Sequence, residues 1–345
     1  MKNNLIFSLN NLFTLIITVS IVSFITSCNS GSKSSGMLCS GDILIPFQEE
    51  INDDWGFIDI DGNVIVDPEF KQQPSFAINN IALTINKKGK YEFIKIEGDK
   101  VVEDDNSYDN ASMFSEGLAA VRNENEKVQF IDEDFKTVFT AEAEEVGNFN
   151  DGLAHFKNKD GKWGFMDKSG KTVITEEYDN IIAPFNQGHA IVYTSNKKDE
   201  NTLIINKEGE VVLDLKDKYE KVMYISDGLI AIEDDGYGYI DLEGEKVIKP
   251  DDDREYITQF FNGYASFEED NEWGLMNKQG EVILKAKYSN PLLVYNDMIF
   301  YEDDNEWGVM DIEGKDMIDP EYDEVAFPFI CGHAIVKDNQ NYVLI

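Results

Sequence analysis

One short phrase constrains this chain more than any other, because it returns along the whole length. In Lys162-Trp163-Gly164-Phe165-Met166-Asp167-Lys168-Ser169-Gly170-Lys171-Thr172-Val173-Ile174 an aromatic opens an apolar stretch, a glycine-bearing turn follows, and a β-branched stretch closes it. That is the pattern of a small β-hairpin. Aligned on Trp163, the column reads Trp55, Tyr91, Val128, Trp163, Thr202, Tyr237, Trp273 and Trp307, at spacings of 36, 37, 35, 39, 35, 36 and 34 residues. Tyr342 opens a further copy 35 residues on. A fixed period in this range calls for supersecondary units that stack or are set around an axis. A chain of 345 residues would ordinarily divide into domains, but a repeat array lengthens without dividing.

Each unit repeats one order of parts. An aromatic-led strand comes first, as in Trp55-Gly56-Phe57-Ile58-Asp59 and Tyr237-Gly238-Tyr239-Ile240-Asp241. A turn with glycine follows, as at Ser169-Gly170, Glu243-Gly244 and Glu313-Gly314, then a β-branched strand such as Val173-Ile174 or Val247-Ile248. A polar connector ends near Glu177-Tyr178-Asp179 or Glu321-Tyr322-Asp323. The unit closes with an aromatic, a second tight turn and an outgoing strand, as in Phe149-Asn150-Asp151-Gly152-Leu153-Ala154. One hairpin cannot bury its apolar face alone, so each unit must lend that face to its neighbours. Phe165 is expected to face Val173 across the hairpin, with a buried Trp163 ring over the seam between units. Glycine beside the tryptophan is expected to let a neighbouring backbone or ring approach closely.

This grammar resembles the WG-repeat family of bacterial proteins, named for the Trp-Gly pair. The resemblance runs from about Ile43 to Ile345 and is sharpest at Trp55-Gly56, Trp163-Gly164, Trp273-Gly274 and Trp307-Gly308, with Tyr237-Gly238 close behind. It is weakest where Val128-Gln129 and Thr202-Leu203 stand in for the pair. It implies an all-β repeat fold and no catalytic residues. About eight hairpin units of 34–39 residues are therefore expected over 43–345. An open twisted superhelix is preferred to a closed, propeller-like ring. The reason lies at the ends: Leu44-Ile45-Pro46-Phe47-Gln48 and His333-Ala334-Ile335-Val336 both read as outgoing strands, and a ring closed by strand sharing would omit one.

The first residues follow different rules. Leu5 to Ile25 is largely apolar after Lys2, and Ile25-Thr26-Ser27-Cys28 follows. This resembles a bacterial lipoprotein signal peptide, which implies removal of 1–27 and lipidation of Cys28; an ordinary signal peptide or a single membrane anchor is the plainer alternative. Residues 28–42, rich in Gly and Ser, would then be a flexible tether. The expected location is the bacterial cell envelope, at the outer membrane where there is one, facing the periplasm or the exterior. Cys39 and Cys331 are either a disulfide, which would bring the ends of the array together and favour the ring, or two separate thiols.

A formal net charge of −37 argues against a nucleic acid partner, whose phosphates require Lys and Arg. With 42% apolar residues, 22 Phe and 15 Tyr, the chain nevertheless has the means to bury a core. Acidic runs at Asp53-Asp54, Glu103-Asp104-Asp105, Glu233-Asp234-Asp235, Asp251-Asp252-Asp253, Glu268-Glu269-Asp270 and Glu302-Asp303-Asp304 mostly precede the aromatic-led strand. The fold should gather them on one edge, either as a solvated face or as a surface for cations or a basic partner. Asp59-Ile60-Asp61-Gly62-Asn63 starts like a calcium loop, but the twelfth position is Phe70 where a bidentate Glu is required, so a turn is expected. His155, His189 and His333 show no ligand spacing, and no nucleophile motif, phosphate loop or dinucleotide signature is present. Neither cofactor nor metal is expected. The expected role is a non-enzymatic scaffold for an envelope protein; the alternatives are glycan binding, with the off-pattern Tyr193, Tyr224 and Tyr295 as its face, and an envelope hydrolase of unrecognised chemistry.

Overall fold

The computed structural model describes residues 43–48, 54–59, 62–98, 100–124, 126–196, 199–330, 333–338 and 341–345. The signal segment 1–27, Cys28, the tether 28–42 and the Cys39–Cys331 pair lie outside the described residues. Among the described residues every regular element is a β-strand, and the strand pairs are antiparallel.

The Trp163 sheet shows the plan. Glu145–Val146, Leu153–Lys157, Trp163–Asp167 and Thr172–Tyr178 lie side by side in chain order. The Val128, Thr202, Tyr237, Trp273 and Trp307 strands each occupy the third place in a four-stranded sheet of the same order. At the start, Ile43–Phe47 pairs with both Trp55–Ile58 and Ala77–Ile78, fusing the first two units into one seven-stranded sheet. At the end, Glu324–Ile330, His333–Asp338 and Asn341–Leu344 form a three-stranded sheet. Each sheet therefore takes the outgoing strand of one repeat and the aromatic-led hairpin of the next. The reason is local: Asn158–Lys162 closes a tight turn, with Gly161 N–H donating to Asn158 O at 3.0 Å, so Lys157 and Trp163 must pair. The polar Tyr178–Asn180 connector is where the chain leaves a sheet. Among the described residues, no strand pairing joins the last sheet to the first, and the array is not closed by a shared strand there.

The hairpin register differs from the expected one. Phe165 lies opposite Ile174, and Val173 is 43% exposed. Trp163 faces Tyr178 while Phe165 faces Ile174, so two steps on the third strand span four on the fourth, and the fourth strand bulges. The bulge turns the Ile174 carbonyl over Gly164, where an added Cβ would lie 2.6 Å from that oxygen. The carbonyl ten residues on stands the same way over Gly238, Gly274 and Gly308, at 2.5, 2.8 and 2.8 Å.

The core is centred two residues past the signature aromatic. Phe57, Phe93, Phe165, Ile204, Tyr239 and Leu275 are wholly buried, and Phe130 and Val309 are nearly so. Trp55 is buried, but Trp163, Trp273 and Trp307 are only half-buried, which corrects the expectation of a buried Trp163 ring. These three still cover seams. Trp163 packs on a cluster that runs from Phe165 and Ile174 of its own sheet to Phe185 and Val192 of the next, and Trp273 on one from Leu284 to Ile299. Cohesion is thus between nearest neighbours.

Candidate functional site at the connector edge

Within each sheet the second and third strands turn at the same edge where the chain crosses to the next sheet. Directly paired side chains of an antiparallel sheet share a face, so at this edge they form a row. In the Trp163 sheet the row is Glu145, Lys157, Trp163 and Tyr178. In the Tyr237 sheet it is Lys221, Glu233, Tyr237 and Asp251. In the Trp273 sheet it is Tyr256, Glu268, Trp273 and Tyr288.

The first two rows contain their own cation. Lys157 Nζ pairs with Glu145 at 2.7 Å and sits 5.4 Å from the Trp163 ring centre. Lys221 pairs with Glu233 at 2.6 Å, and that carboxylate holds the ammonium above its ordinary pKa. Arg122 of the Val128 sheet reaches across its seam to Glu144 O at 2.5 Å. In the last sheet Lys337 pairs with Glu324 at 3.8 Å.

The Trp273 row contains no lysine or arginine. Its Tyr256 is 44% exposed and bridges a seam, 5.9 Å from the Tyr237 ring and 6.0 Å from the Trp273 ring. Burial, then the Glu255 carboxylate, holds Glu268 above the usual carboxylate range. Neighbouring Glu269 is raised too, by burial and by Asp251, Asp253 and Asp270 acting against Arg254. Lys287 stacks on Tyr288, the fourth member, at 4.9 Å. In the Trp307 sheet Glu302 faces Trp307, and the Asn290 amide donates to Glu302.

The acidic runs of the later sheets collect at this edge, whereas Asp104 of the earlier Glu103-Asp104-Asp105 run is buried and accepts the Tyr108 hydroxyl at 2.9 Å. Turns in the first half carry lysines, as in Asn86-Lys87-Lys88-Gly89-Lys90 and Asn158-Lys159-Asp160-Gly161-Lys162. From the Tyr237 sheet onward they read Glu233-Asp234-Asp235, Glu268-Glu269-Asp270 and Glu302-Asp303-Asp304. Asp251, Asp252 and Asp253 place carboxylates within 4.8 Å of one another, with Arg254 already on Asp251 at 3.5 Å.

Other sequence candidates resolve differently. Tyr295 is buried, and Tyr224 is half-buried against the Tyr239–Phe267 cluster with its hydroxyl donating to Ile257 O at 2.6 Å, so neither offers a free ring face. Tyr193 lies in the Thr202 row, away from both. Asp59 accepts Asn63 N–H at 2.8 Å, the same bond that Asp311 makes with Lys315, which fits a turn. His155 and His189 sit in different sheets, and His189 Nδ1 lies 3.1 Å from Gln187 O. Tyr256 was not singled out by sequence. Its only signal is an aromatic where Glu145 and Lys221 stand in other units.

Stacked four-stranded antiparallel sheets, each cohering with its neighbours, define an all-β repeat array. The chain belongs to the WG containing repeat family, whose model matches residues 55–91, 107–127, 130–163, 163–197, 204–236, 237–273, 273–305 and 307–342. No protein with a curated description matches it. Among solved structures it is similar to dipeptidyl peptidase 4 of Porphyromonas gingivalis, at 12% identity and a TM-score of 0.51 over 88% of this chain and 62% of that one. BamB from Moraxella catarrhalis matches at 14% identity and 0.45, over 80% of this chain and 90% of that one. The WD40 beta propeller domain of Doa1 matches at 15% and 0.35, over 70% and 92%. At these identities the first likeness concerns the fold alone.

Proposed function

We propose that this chain is a non-enzymatic, lipid-anchored scaffold of the bacterial cell envelope that binds a basic polypeptide. The observation that carries the reading is the division of charge along one edge. Lysines pair with carboxylates at the connector edge as far as the Tyr237 sheet, where Lys221 holds Glu233 and Lys246 holds Asp234, whereas the Trp273 and Trp307 sheets present successive acidic turns there. Like charges held together raise their local field and favour a cationic partner. The anchor rests on the Ile25-Thr26-Ser27-Cys28 motif. Several acyl chains at Cys28 would hold the array at a membrane far more firmly than one.

Glycan binding fits the geometry less well. The Tyr237 and Trp273 rings meet the exposed Tyr256 ring at 52° and 71°, so the three offer no common flat platform for a sugar. In-cell crosslinking of the tagged protein, with Cys28→Ala as the mislocalised control, tests the reading. A discrete basic protein, captured by the anchored form and released by salt, is the expected result. Capture of glycans alone, or of nothing, sinks it.

A further inference from the structure

We infer that the Tyr256–Glu268–Trp273 row is a recognition niche for the ammonium of a lysine side chain on the partner, an inference that rests on the acidic-edge reading above. The molecule contains an occupied example of the same niche. In the Trp163 row a carboxylate on the first strand and an indole on the third hold Lys157 between them, paired at 2.7 Å and lying 5.4 Å from the ring centre. The ammonium is drawn to the carboxylate by charge and to the indole by the ring quadrupole.

The Trp273 row keeps two of the three parts and omits the lysine. Glu268 stands directly between Tyr256 and Trp273 on the same face. Tyr237 adds a third ring from the neighbouring sheet, and Glu255 a second carboxylate beside the turn, where it accepts Asn271 N–H at 3.2 Å. An incoming ammonium would complete what Lys157 completes internally. In the Tyr237 row Lys221 takes that role from the first strand, the place that Tyr256 fills in the Trp273 row. The niche selects lysine by its compact charge: acetylation removes the charge and with it both attractions.

The test uses the full chain, a fluorescein-labelled tetralysine peptide and its fully Nε-acetylated counterpart, read by fluorescence anisotropy with circular dichroism as a folding control. The unmodified peptide is expected to bind at one site and the acetylated peptide not at all. Tyr256→Lys, which supplies an internal ammonium beside Glu268, is expected to weaken binding at least ~10-fold, as is Glu268→Gln. Lys157→Gln vacates the equivalent niche and should raise the stoichiometry from one site to two. Equal affinity for wild type and Tyr256→Lys overturns the niche while leaving the acidic edge standing. Unchanged stoichiometry in Lys157→Gln overturns the equivalence of the two rows. No binding of tetralysine by the wild type overturns both the niche and the scaffold reading.

Discussion

The Asp151 carboxylate accepts the Gly188 N–H at 2.7 Å, and that bond ties the tight turn of the Trp163 sheet to the equivalent turn of the Thr202 sheet. The link recurs along the array. Gly152 N–H donates to Glu116 Oε2 at 2.9 Å, Gly228 N–H to Gln187 Oε1 at 3.0 Å and Gly263 N–H to Asp227 Oδ2 at 3.2 Å. Each acceptor precedes the glycine of its own turn and has φ between 51° and 53°. Lys168 and Lys278 brace the same turns, donating to Glu116 O and Asp227 O at 2.8 and 2.6 Å. These turns lie at the edge opposite the connectors, so Glu116, Asp151 and Asp227 hold sheets together there and do not add to the acidic runs of the connector edge.

Breaking one rung should weaken coupling between two sheets more than either sheet itself. Asp151→Ala is expected to cost about 1–3 kcal/mol, since it removes a part-buried charged acceptor and leaves an amide without a partner. Asp151→Asn keeps a carbonyl acceptor and tolerates the positive φ, so its cost should stay within about 0.5 kcal/mol. Urea denaturation of both variants checks this. No loss in either variant would mean that the carboxylate is not the tie, and equal losses in both would mean that its charge, not the carbonyl acceptor, holds the turn.

The signature tryptophan and the core aromatic should rank in the reverse of what their prominence in the sequence suggests. Phe165 is wholly buried and packs edge-on against Phe185 at 4.7 Å, so Phe165→Ala should cost about 3–5 kcal/mol. Trp163 is half-buried, and Trp163→Ala should cost roughly half as much. Thermal and urea unfolding of the two variants side by side decide the ranking. A larger loss for Trp163 would show that the seam outweighs the core.

The contrast also shows what could be read from residues alone. Period, strand content and turn glycines follow from local chemistry, and each position of the Trp163 column from Trp55 to Trp307 falls in the first strand of a hairpin. The offset between repeat and sheet did not show, because it depends on which turn is tighter, not on which motif is more conspicuous. Nor did the Phe165–Ile174 register, since the fourth-strand bulge is an event between strands. The acidic edge was legible as a phase of the repeat. The Trp273 row was not, because its character comes from Tyr256 and Glu268 standing opposite Trp273, a relation between three separate strands.

Gly164 is a sharper test of the bulge. An added methyl would meet the Ile174 carbonyl at 2.6 Å and the Glu176 amide nitrogen at 3.0 Å, both backbone atoms that cannot swing away. Gly164→Ala should therefore cost about 1–3 kcal/mol despite alanine's lower entropy loss on folding. Gly147, under the His155 ring, offers a comparison in which the obstacle is a side chain. A stabilised Gly164→Ala protein would refute the bulge geometry.

His155 should make stability depend on pH across a defined window. Its ring lies 5.4 Å from that of Trp163 and 6.5 Å from that of Phe165, and its Nδ1 has no hydrogen-bond partner among the described residues. Burial pushes its pKa down to about 4, with the Glu145 carboxylate pulling weakly the other way. The unfolded value is about 6.5, so between these limits the unfolded chain binds more protons and stability rises with pH. The contribution is complete above about pH 6.5 and is lost as pH falls through the window, to a total on the order of 2–3 kcal/mol. His155→Phe keeps a ring in place and removes the titration. Subtracting its stability profile from that of the wild type cancels the many carboxylates that titrate nearby. The difference should be a step between pH 4 and 6.5, with the wild type losing ground on the acid side. Parallel profiles would mean that the imidazole reaches water in the folded chain and that its burial carries no energetic weight.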